Sequence, residues 1–378
     1  MQILTVDIGT GTQDIYLFRS GLNIENGFKL VLPSPTMQIH DQIQAATERR
    51  EGILLTGVTM GGGPCHWAAK AHIHAGCPIF ATPEAAQTFN DDLSWVENEL
   101  GITIVSEDET IRLPPMQHIE LYDFKIQPIA ETFGTFGIDL NPSAIGVAVF
   151  DHGAAPPGVS DRRFRFEYLR ERITAENRLS SFAFLAQNVP ASMTRMQAVA
   201  KSAGSLDCPL VLMDTAPAAV LGSMQDASVK TRSRVMIVNI GNFHTLAFRI
   251  GPSGIEGVFE HHTGEIDPAR LESLLQAFAG GTLRDEDVYN DQGHGALILH
   301  DEPLSISNGE KPIVVCGPRR SLLRKSNLHP YFSAPFGDMM LSGCFGLLAA
   351  MTDRLPKISA VIQAALTGEE RGVTPWEI

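Results

Sequence analysis

Apolar residues along this chain gather into short runs broken by glycine- and proline-rich turns, and several of these runs repeat one another. ILTVDIGTGTQDIYLF (3–18) and VMIVNIGNFHTLAF (235–248) each read as a buried strand, a polar turn with glycine, and a second strand. A third strand follows in each copy, around 27–32 and 254–260. A helix comes next, over 37–50 in the first copy and 268–278 in the second. Asp267-Pro268 is a natural start for the latter, because the carboxylate accepts from unpaired helix amides and proline presets the first turn. Further on, ILLTGVTMGGGP (53–64) and PIVVCGPRRS (312–321) both read as strands breaking into a Gly/Pro loop. CPIFATP (77–83) matches HPYFSAP (329–335) in its Pro, Phe and Pro. Matches recurring in the same order predict an internal duplication. Buried strands alternating with helices predict α/β sheets that bind ligands near the strand ends.

The segment between the copies, about 100–205, reads as an insertion. It holds a strand at 144–153 and then a helical stretch from Phe164 to Ala203. PLVLMD (209–214) is a further strand feeding the small-residue helix TAPAAVLGSM (215–224). Either this pair or 77–83 with its following helix completes the first domain. The expected division is 1–226 for the first domain with its insertion, 227–334 for the second, and 335–378 for a connecting helix and tail.

The chain has 378 residues, is 44% hydrophobic and carries a net charge of −14. That size allows two ordinary domains. The acidic balance argues against general nucleic-acid binding, and the one dense basic cluster, Arg162 to Arg172, reads as a solvated helix face. No apolar run is long enough for a membrane span, and the N-terminus does not read as a signal peptide. The five scattered cysteines form neither a disulfide framework nor a Cys-x-x-Cys site, so a cytoplasmic protein with reduced thiols is expected.

DIGTGTQD (7–14) resembles the first phosphate motif of the actin, heat-shock chaperone and sugar kinase superfamily. NIGNFHT (239–245) resembles its second phosphate motif and VVCGPRRS (314–321) its adenosine motif. TAPAAVLG and LSGCFGLLAAM resemble its two connecting helices, whose small residues let the domains hinge. The resemblance implies duplicated ribonuclease H-like (actin-like ATPase) α/β domains around an interdomain cleft, with ATP and Mg²⁺ as ligands. Within the superfamily the whole sequence is similar to a bacterial and archaeal family of unknown function, often labelled pyruvate formate-lyase activating protein-like. Radical activases hold an iron–sulfur cluster on three closely spaced cysteines, and this sequence has no such triplet.

Each motif has its own chemistry. The glycines of the first turn, Gly9 and Gly11, let backbone amides approach phosphate oxygens, and Thr10 and Thr12 add hydroxyls. Asp7 would repel a polyphosphate unless a cation lies between them, so it is the expected Mg²⁺ ligand and a catalytic candidate. In the second turn, Asn239 stands where the superfamily has an aspartate. Gly241, Asn242 and His244 are the expected phosphate contacts there, with Phe243 restricting the approach. The adenosine motif keeps one glycine, Gly317, followed by Pro318. Gly61, Gly62 and Gly63 follow a strand and open a helix, an anion-favouring arrangement. They are similar to a glycine loop of the threonylcarbamoyl transferases, although the His-x-x-x-His metal pair of those enzymes is absent. Asp151, at a strand end, is a candidate general base. Cys65 beside the helix start reads as a reactive thiol or a small buried residue. His72 with His74, and His261-His262 with Glu265 and Asp267, read as metal sites or as ordinary polar positions. Three functions stay open: a nucleotide-driven activating or regulatory ATPase with a protein partner, a small-molecule kinase or acyl/carbamoyl-type transferase, and a scaffold without nucleotide.

Overall fold

The repeated pattern folds into two sheets that share one strand order. The computed structural model describes residues 1–304, 311–368 and 372–377. In it β1 (Gln2–Ile8), β2 (Thr12–Arg19) and β3 (Phe28–Pro33) form an antiparallel meander. Ser34 then caps the helix Pro35–Arg49 by accepting from the Met37 amide. Next come β4 (Ile53–Gly57), β5 (Ile79–Ala81), β6 (Thr103–Ile104) and β7 (Gln117–Leu121). They build a separate parallel sheet in the order β6-β5-β4-β7. The chain then returns to the first sheet through β8 (Ala144–Val149), β9 (Ala183–Leu185) and β10 (Leu210–Asp214), giving β3-β2-β1-β8-β10-β9.

The second copy comprises β11 (Val235–Ile240), β12 (His244–Gly251), β13 (Gly254–His262), β14 (Gly295–Ile298), β15 (Ile313–Cys316) and β16 (Tyr331–Phe332). Their order is β14-β13-β12-β11-β15-β16. The shared core is therefore β3-β2-β1-β8-β10 against β13-β12-β11-β15-β16, in each case an antiparallel meander extended by two parallel strands. This is the duplicated ribonuclease H-like, actin-like ATPase architecture.

Two expected correspondences change. The segment 53–64 is not the counterpart of 312–321, because β15 pairs with β11 in parallel and the strand in that place beside β1 is β8. Likewise β5 of 77–83 lies in the separate sheet, and β10 holds the position of β16. A buried parallel strand ending in glycine reads the same wherever it pairs, so sequence pattern alone misassigned the partners. β10 and the helix Thr215–Ser223 thus complete the first sheet. The stretch 164–203 is also broken: a helix over Asp161–Ala175, then 3₁₀ turns and β9, then a helix over Thr194–Ser202. Pairing of β9 with β10 outweighs local helix propensity there. The expected domain spans also include 305–310, 369–371 and 378, which lie outside the described residues.

Strand periodicity sorts side chains into distinct cores. On β11, Val235 and Ile237 join the core shared with the first sheet, while Met236, Val238 and Ile240 pack with Leu271, Leu275 and Phe278 of the helix Pro268–Ala279. Two helices leave the ends of the sheets and cross between them: Thr215–Ser223 after β10, and Ser342–Arg354 beyond β16. Their backbones touch. A Cβ on Gly222 would lie 1.7 Å from the Ser342 carbonyl oxygen, and one on Gly346 would lie 1.7 Å from that of Ala218. No helix among the described residues is long and apolar enough to cross a membrane.

Gly346→Ala should therefore overpack the crossing and destabilise the protein by about 1–3 kcal/mol or more. Gly134, in the helix Ile126–Thr135, has nothing within 4 Å of an added Cβ. Gly134→Ala should instead be neutral or stabilise by about 0.5–1 kcal/mol. Thermal denaturation of the two variants beside the parent measures both.

Candidate functional site

The two glycine turns adopt the same local structure. The Gly9 amide donates to the Thr12 carbonyl at 2.9 Å, and the Gly241 amide donates to the His244 carbonyl at 2.9 Å. The carbonyls of Thr10 and Gly11 are tied back to the Ser34 hydroxyl and amide. Among the described residues, no hydrogen bond occupies the amides of Thr10, Gly11, Asn242 or Phe243. The turns face each other closely, since a Cβ on Gly11 would come within 3.1 Å of the Asn242 side-chain nitrogen. Both line one cavity of about 120 Å³, together with Gly317, Pro318 and the start of the second connecting helix. Gly317 has φ 95° and packs onto the Ile240 carbonyl, which explains why this position needs glycine.

The floor of this cavity is acidic. Asp7 and Asp14 are direct partners across the β1–β2 hairpin, so both project to the same face. Asp7 accepts a hydrogen bond from the Thr215 hydroxyl, and Gly343 leaves room for its carboxylate at the start of the second connecting helix. Burial pushes the Asp7 carboxyl up to about 7, against the Thr215 hydrogen bond and with repulsion from Asp214 adding to the rise. Burial also pushes Asp14 up to about 8, helped by the charges of Asp7 and Asp338 and opposed by Thr12. One Asp14 oxygen is buried with no hydrogen-bond partner. Facing carboxylates with an orphaned oxygen fit a hard divalent cation, whose charge would relieve their repulsion.

A second chamber of about 300 Å³ lies on the other side of Phe150, Phe243 and His244. Gly61, Gly62 and Gly63 form one wall, and close packing dictates each of them. Added Cβ atoms would meet Arg195 and Thr36 at 2.7 Å, the Thr88 carbonyl at 2.7 Å and the Phe243 ring at 2.6 Å respectively. Arg195 chelates the buried Asp123 through two hydrogen bonds of 2.7 and 2.9 Å and donates to the Phe150 carbonyl, joining the separate sheet to the first domain. Asp151 also lines this chamber. Its two oxygens accept from the Gly153 and Met196 amides, each at 2.8 Å, so as placed it anchors the loop. Burial raises its carboxyl, and those amides oppose the rise.

His152, His244, His262 and His294 meet between the two lobes. The Nε2 atoms of His152 and His244 are 3.3 Å apart, and those of His262 and His294 are 3.2 Å apart. His244 stacks on Phe150 with centroids 4.0 Å apart. Burial, then the charge of His294, pushes His152 down to about 3 and His262 to about 4; burial also lowers His244. Nδ1 of His294 lies 3.0 Å from the Glu260 carboxylate. Glu260 in turn meets Arg165 at 3.2 Å, and Arg165 also pairs with Asp214 and donates to the Asp151 carbonyl. Despite the cost of burial, Arg165 and His294 hold the Glu260 carboxyl well below its usual range. The basic cluster is thus not simply a solvated face. Arg165 is fully buried, Arg162 donates to the Tyr289 and Gly293 carbonyls, and Arg163 pairs with Asp285.

The expected phosphate residues of both turns, Asp7 and Gly317 therefore converge on one cavity, while Gly61–Gly63 and Asp151 line its neighbour. Asn239 turns its amide toward Cys316 at 3.5 Å. Sequence reading missed Asp14, although the hairpin register about the turn places it opposite Asp7. It missed His294 entirely, because no local spacing links it to the other histidines. The His261-His262 group divides: adjacent residues on a strand face opposite ways, so His262 joins the cluster and His261 lies 3.5 Å from Asp291. Asp267 caps its helix through the Arg270 amide. His72 contacts Thr47 at 2.7 Å. Cys65 is buried, with its thiol pushed up to about 12 by burial and then by Asp123, so it is a poor nucleophile.

Duplicated sheets, crossing helices and facing glycine turns together define a protein with the actin-like ATPase fold. More particularly, residues 60–322 match the family described as "Putative pyruvate format-lyase activating enzyme (DUF1786)", and the chain belongs to that family. No curated protein matches the sequence. Similar solved structures include an activator of 2-hydroxyisocaproyl-CoA dehydratase from Clostridium difficile with bound ADPNP, at 8% identity and TM-score 0.34, covering 99% of this chain and 100% of that one. A ROK hexokinase from Thermus thermophilus shows 13% identity and TM-score 0.29, covering 92% and 97% of the two chains. The ethanolamine utilization protein EutJ from Carboxydothermus hydrogenoformans shows 13% identity and TM-score 0.29, covering 92% and 89%.

Two measurements follow. Arg165→Ala should destabilise the protein by about 3–5 kcal/mol in urea unfolding, since it strands Asp214 and Glu260 as buried charges. Removing the exposed Lys201–Glu84 pair by Lys201→Ala should cost about 1 kcal/mol or less. Protein purified anaerobically should contain no acid-labile sulfide, because among the described residues no three cysteines converge into a ligand set. Stoichiometric sulfide with a cluster absorption band would contradict this.

Proposed function

We propose that the protein binds a nucleoside triphosphate with Mg²⁺ between its two glycine turns and uses nucleotide-dependent lobe movement to act on a partner, as an activating or regulatory ATPase. The observation that carries this reading is the pair of matching turns, Gly9–Thr12 and Gly241–His244, with unoccupied amides above the Asp7–Asp14 pair. Asp7 and Asp14 would hold the cation, which would neutralise phosphate charge. The turn amides and the hydroxyls of Thr10 and Thr12 would orient the phosphates.

At about 120 Å³ the cavity is smaller than the roughly 300–1,000 Å³ typical of ligand sites, so the lobes would open to admit nucleotide. The close crossing of the connecting helices supports a hinge there. Asn239, where the superfamily has an acid, favours slow turnover suited to a switch over fast phosphoryl transfer. The neighbouring chamber of about 300 Å³ supports a second reading, a kinase or acyl/carbamoyl-type transferase whose acceptor sits beside Gly61–Gly63 and Asp151. The reduced cysteines fit a cytoplasmic setting.

Mg·ATP at about a hundredfold over its Kd should stabilise the protein by about 2.7 kcal/mol. Across a chain of this length that is a melting shift of about 3 °C. The shift should require the divalent cation. Asp7→Asn should largely abolish it while leaving the unliganded protein folded, since the amide keeps the shape of the site. Asn239→Asp should leave the shift intact or sharpen its cation dependence. If calorimetry and melting curves show no response to any nucleoside triphosphate with Mg²⁺, the reading fails and a nucleotide-free scaffold takes its place.

A further inference from the structure

The histidine cluster has the geometry of a metal centre. One ring nitrogen from each of His152, His244 and His294 lies within 4.8 Å of the others. His262 falls outside this set of three but brings a fourth ring beside it, its centroid 4.6 Å from that of His294 and 5.0 Å from that of His244. In a tetrahedral site with metal–nitrogen bonds of about 2.0–2.1 Å, ligand nitrogens sit about 3.3 Å apart. The His152–His244 and His262–His294 Nε2 pairs are already at 3.3 and 3.2 Å. Within each of these two pairs the rings turn Nε2 toward each other, and Nε2 is the atom each ring would offer a metal.

The surroundings match what a bound cation requires. Glu260, fully buried, sits 3.0 Å from Nδ1 of His294, on the side of the ring away from the cluster. A carboxylate at this distance from Nδ1 leaves Nε2 as the ring's ligand atom, although neither Nδ1 nor the facing Glu260 oxygen is placed for a hydrogen bond. Glu260 is the carboxylate that acts on His152, His244 and His262, and its charge favours an added cation, against the nearby guanidinium groups of Arg165 and Arg162. Nitrogen donors without carboxylate or thiolate in the first sphere select a borderline transition metal over Mg²⁺ or Ca²⁺.

We infer that His152, His244, His262 and His294 bind one divalent transition-metal ion of the Zn²⁺, Co²⁺ or Ni²⁺ type, and that this ion clamps the two lobes together. His152 follows β8 of the first sheet, whereas His244 and His262 lie on β12 and β13 and His294 immediately precedes β14 of the second. The ion therefore bridges the lobes directly beside the second glycine turn. The inference does not depend on nucleotide binding, and its test contains no nucleotide.

The full chain, stripped with chelator, is titrated with Co²⁺ by calorimetry and visible absorption, then with Zn²⁺ in competition. One ion per chain, with the intense visible bands of four-coordinate Co²⁺ that Zn²⁺ abolishes, is expected. Zn²⁺ should also raise the melting temperature. His152→Ala and His262→Ala should each weaken binding at least tenfold and remove the tetrahedral spectrum, while His40→Ala on the first-lobe helix should change neither. Should His262→Ala fold poorly, His152→Ala alone decides, with circular dichroism confirming its fold. Absence of stoichiometric binding, or binding unaltered by His152→Ala, overturns the proposal. Six-coordinate, weakly absorbing Co²⁺ that persists in the histidine variants would mark a surface site and overturn it equally.

Discussion

Burial of the Arg165 guanidinium constrains the centre of this molecule more than any other single interaction. A charge removed from water costs several kcal/mol unless it is paired and hydrogen-bonded. Arg165 finds its partners on both sheets: Asp214 at the end of β10 and Glu260 on β13. It also donates to the Asp151 carbonyl and lies over the Phe150 ring, 4.5 Å from its centroid. The helix Asp161–Ala175 is thereby fixed against both lobes, and its neighbours Arg162 and Arg163 grip the segment around Tyr289. Loss of this pairing would disturb Phe150, Asp151 and the carboxylate beside His294 together.

That constraint operates alongside the crossing of the connecting helices. Gly222 and Gly346 let two backbones touch where any side chain would force them apart. This close approach, with the apolar side chains of both helices in one core, holds the lobes near each other. Across the cleft Gly11 faces Asn242 and Gly63 faces the Phe243 ring, while Phe150 and His152 pack against His244 and Trp67 against Phe243.

Two donor sets flank this cleft with different chemistry. Asp7 and Asp14 present hard oxygen atoms beneath the glycine turns. The histidines present nitrogen, and burial keeps His152, His244 and His262 in the neutral form that coordinates metal. The Phe150 ring stacks on His244 and lines the glycine-turn cavity where it borders the second chamber. Hard and borderline cations would thus be sorted by ligand type on either side of the second turn.

Local pattern alone made much of this protein legible. The meanders 3–32 and 235–260, their glycine turns and the helix cap at Asp267 follow from strand alternation and turn chemistry, which act within a few residues. Asp7 and the turn residues could be singled out because the turn recurs in both copies, whereas one glycine turn alone would read as an ordinary hairpin. Sequence could not say which strands pair side by side. β4 and β8 look alike as apolar runs, and only packing decided that β8 lies beside β1 while β4 builds a separate sheet. Nor did it reveal the cluster of His152, His244, His262 and His294, spread over 142 positions of the chain. No periodicity links those residues, and they meet only because β8, β12, β13 and the start of β14 are folded against one another. The same holds for Arg165: as sequence it is one arginine in a basic run, and its burial became possible only when Asp214 and Glu260 arrived from different sheets to neutralise it.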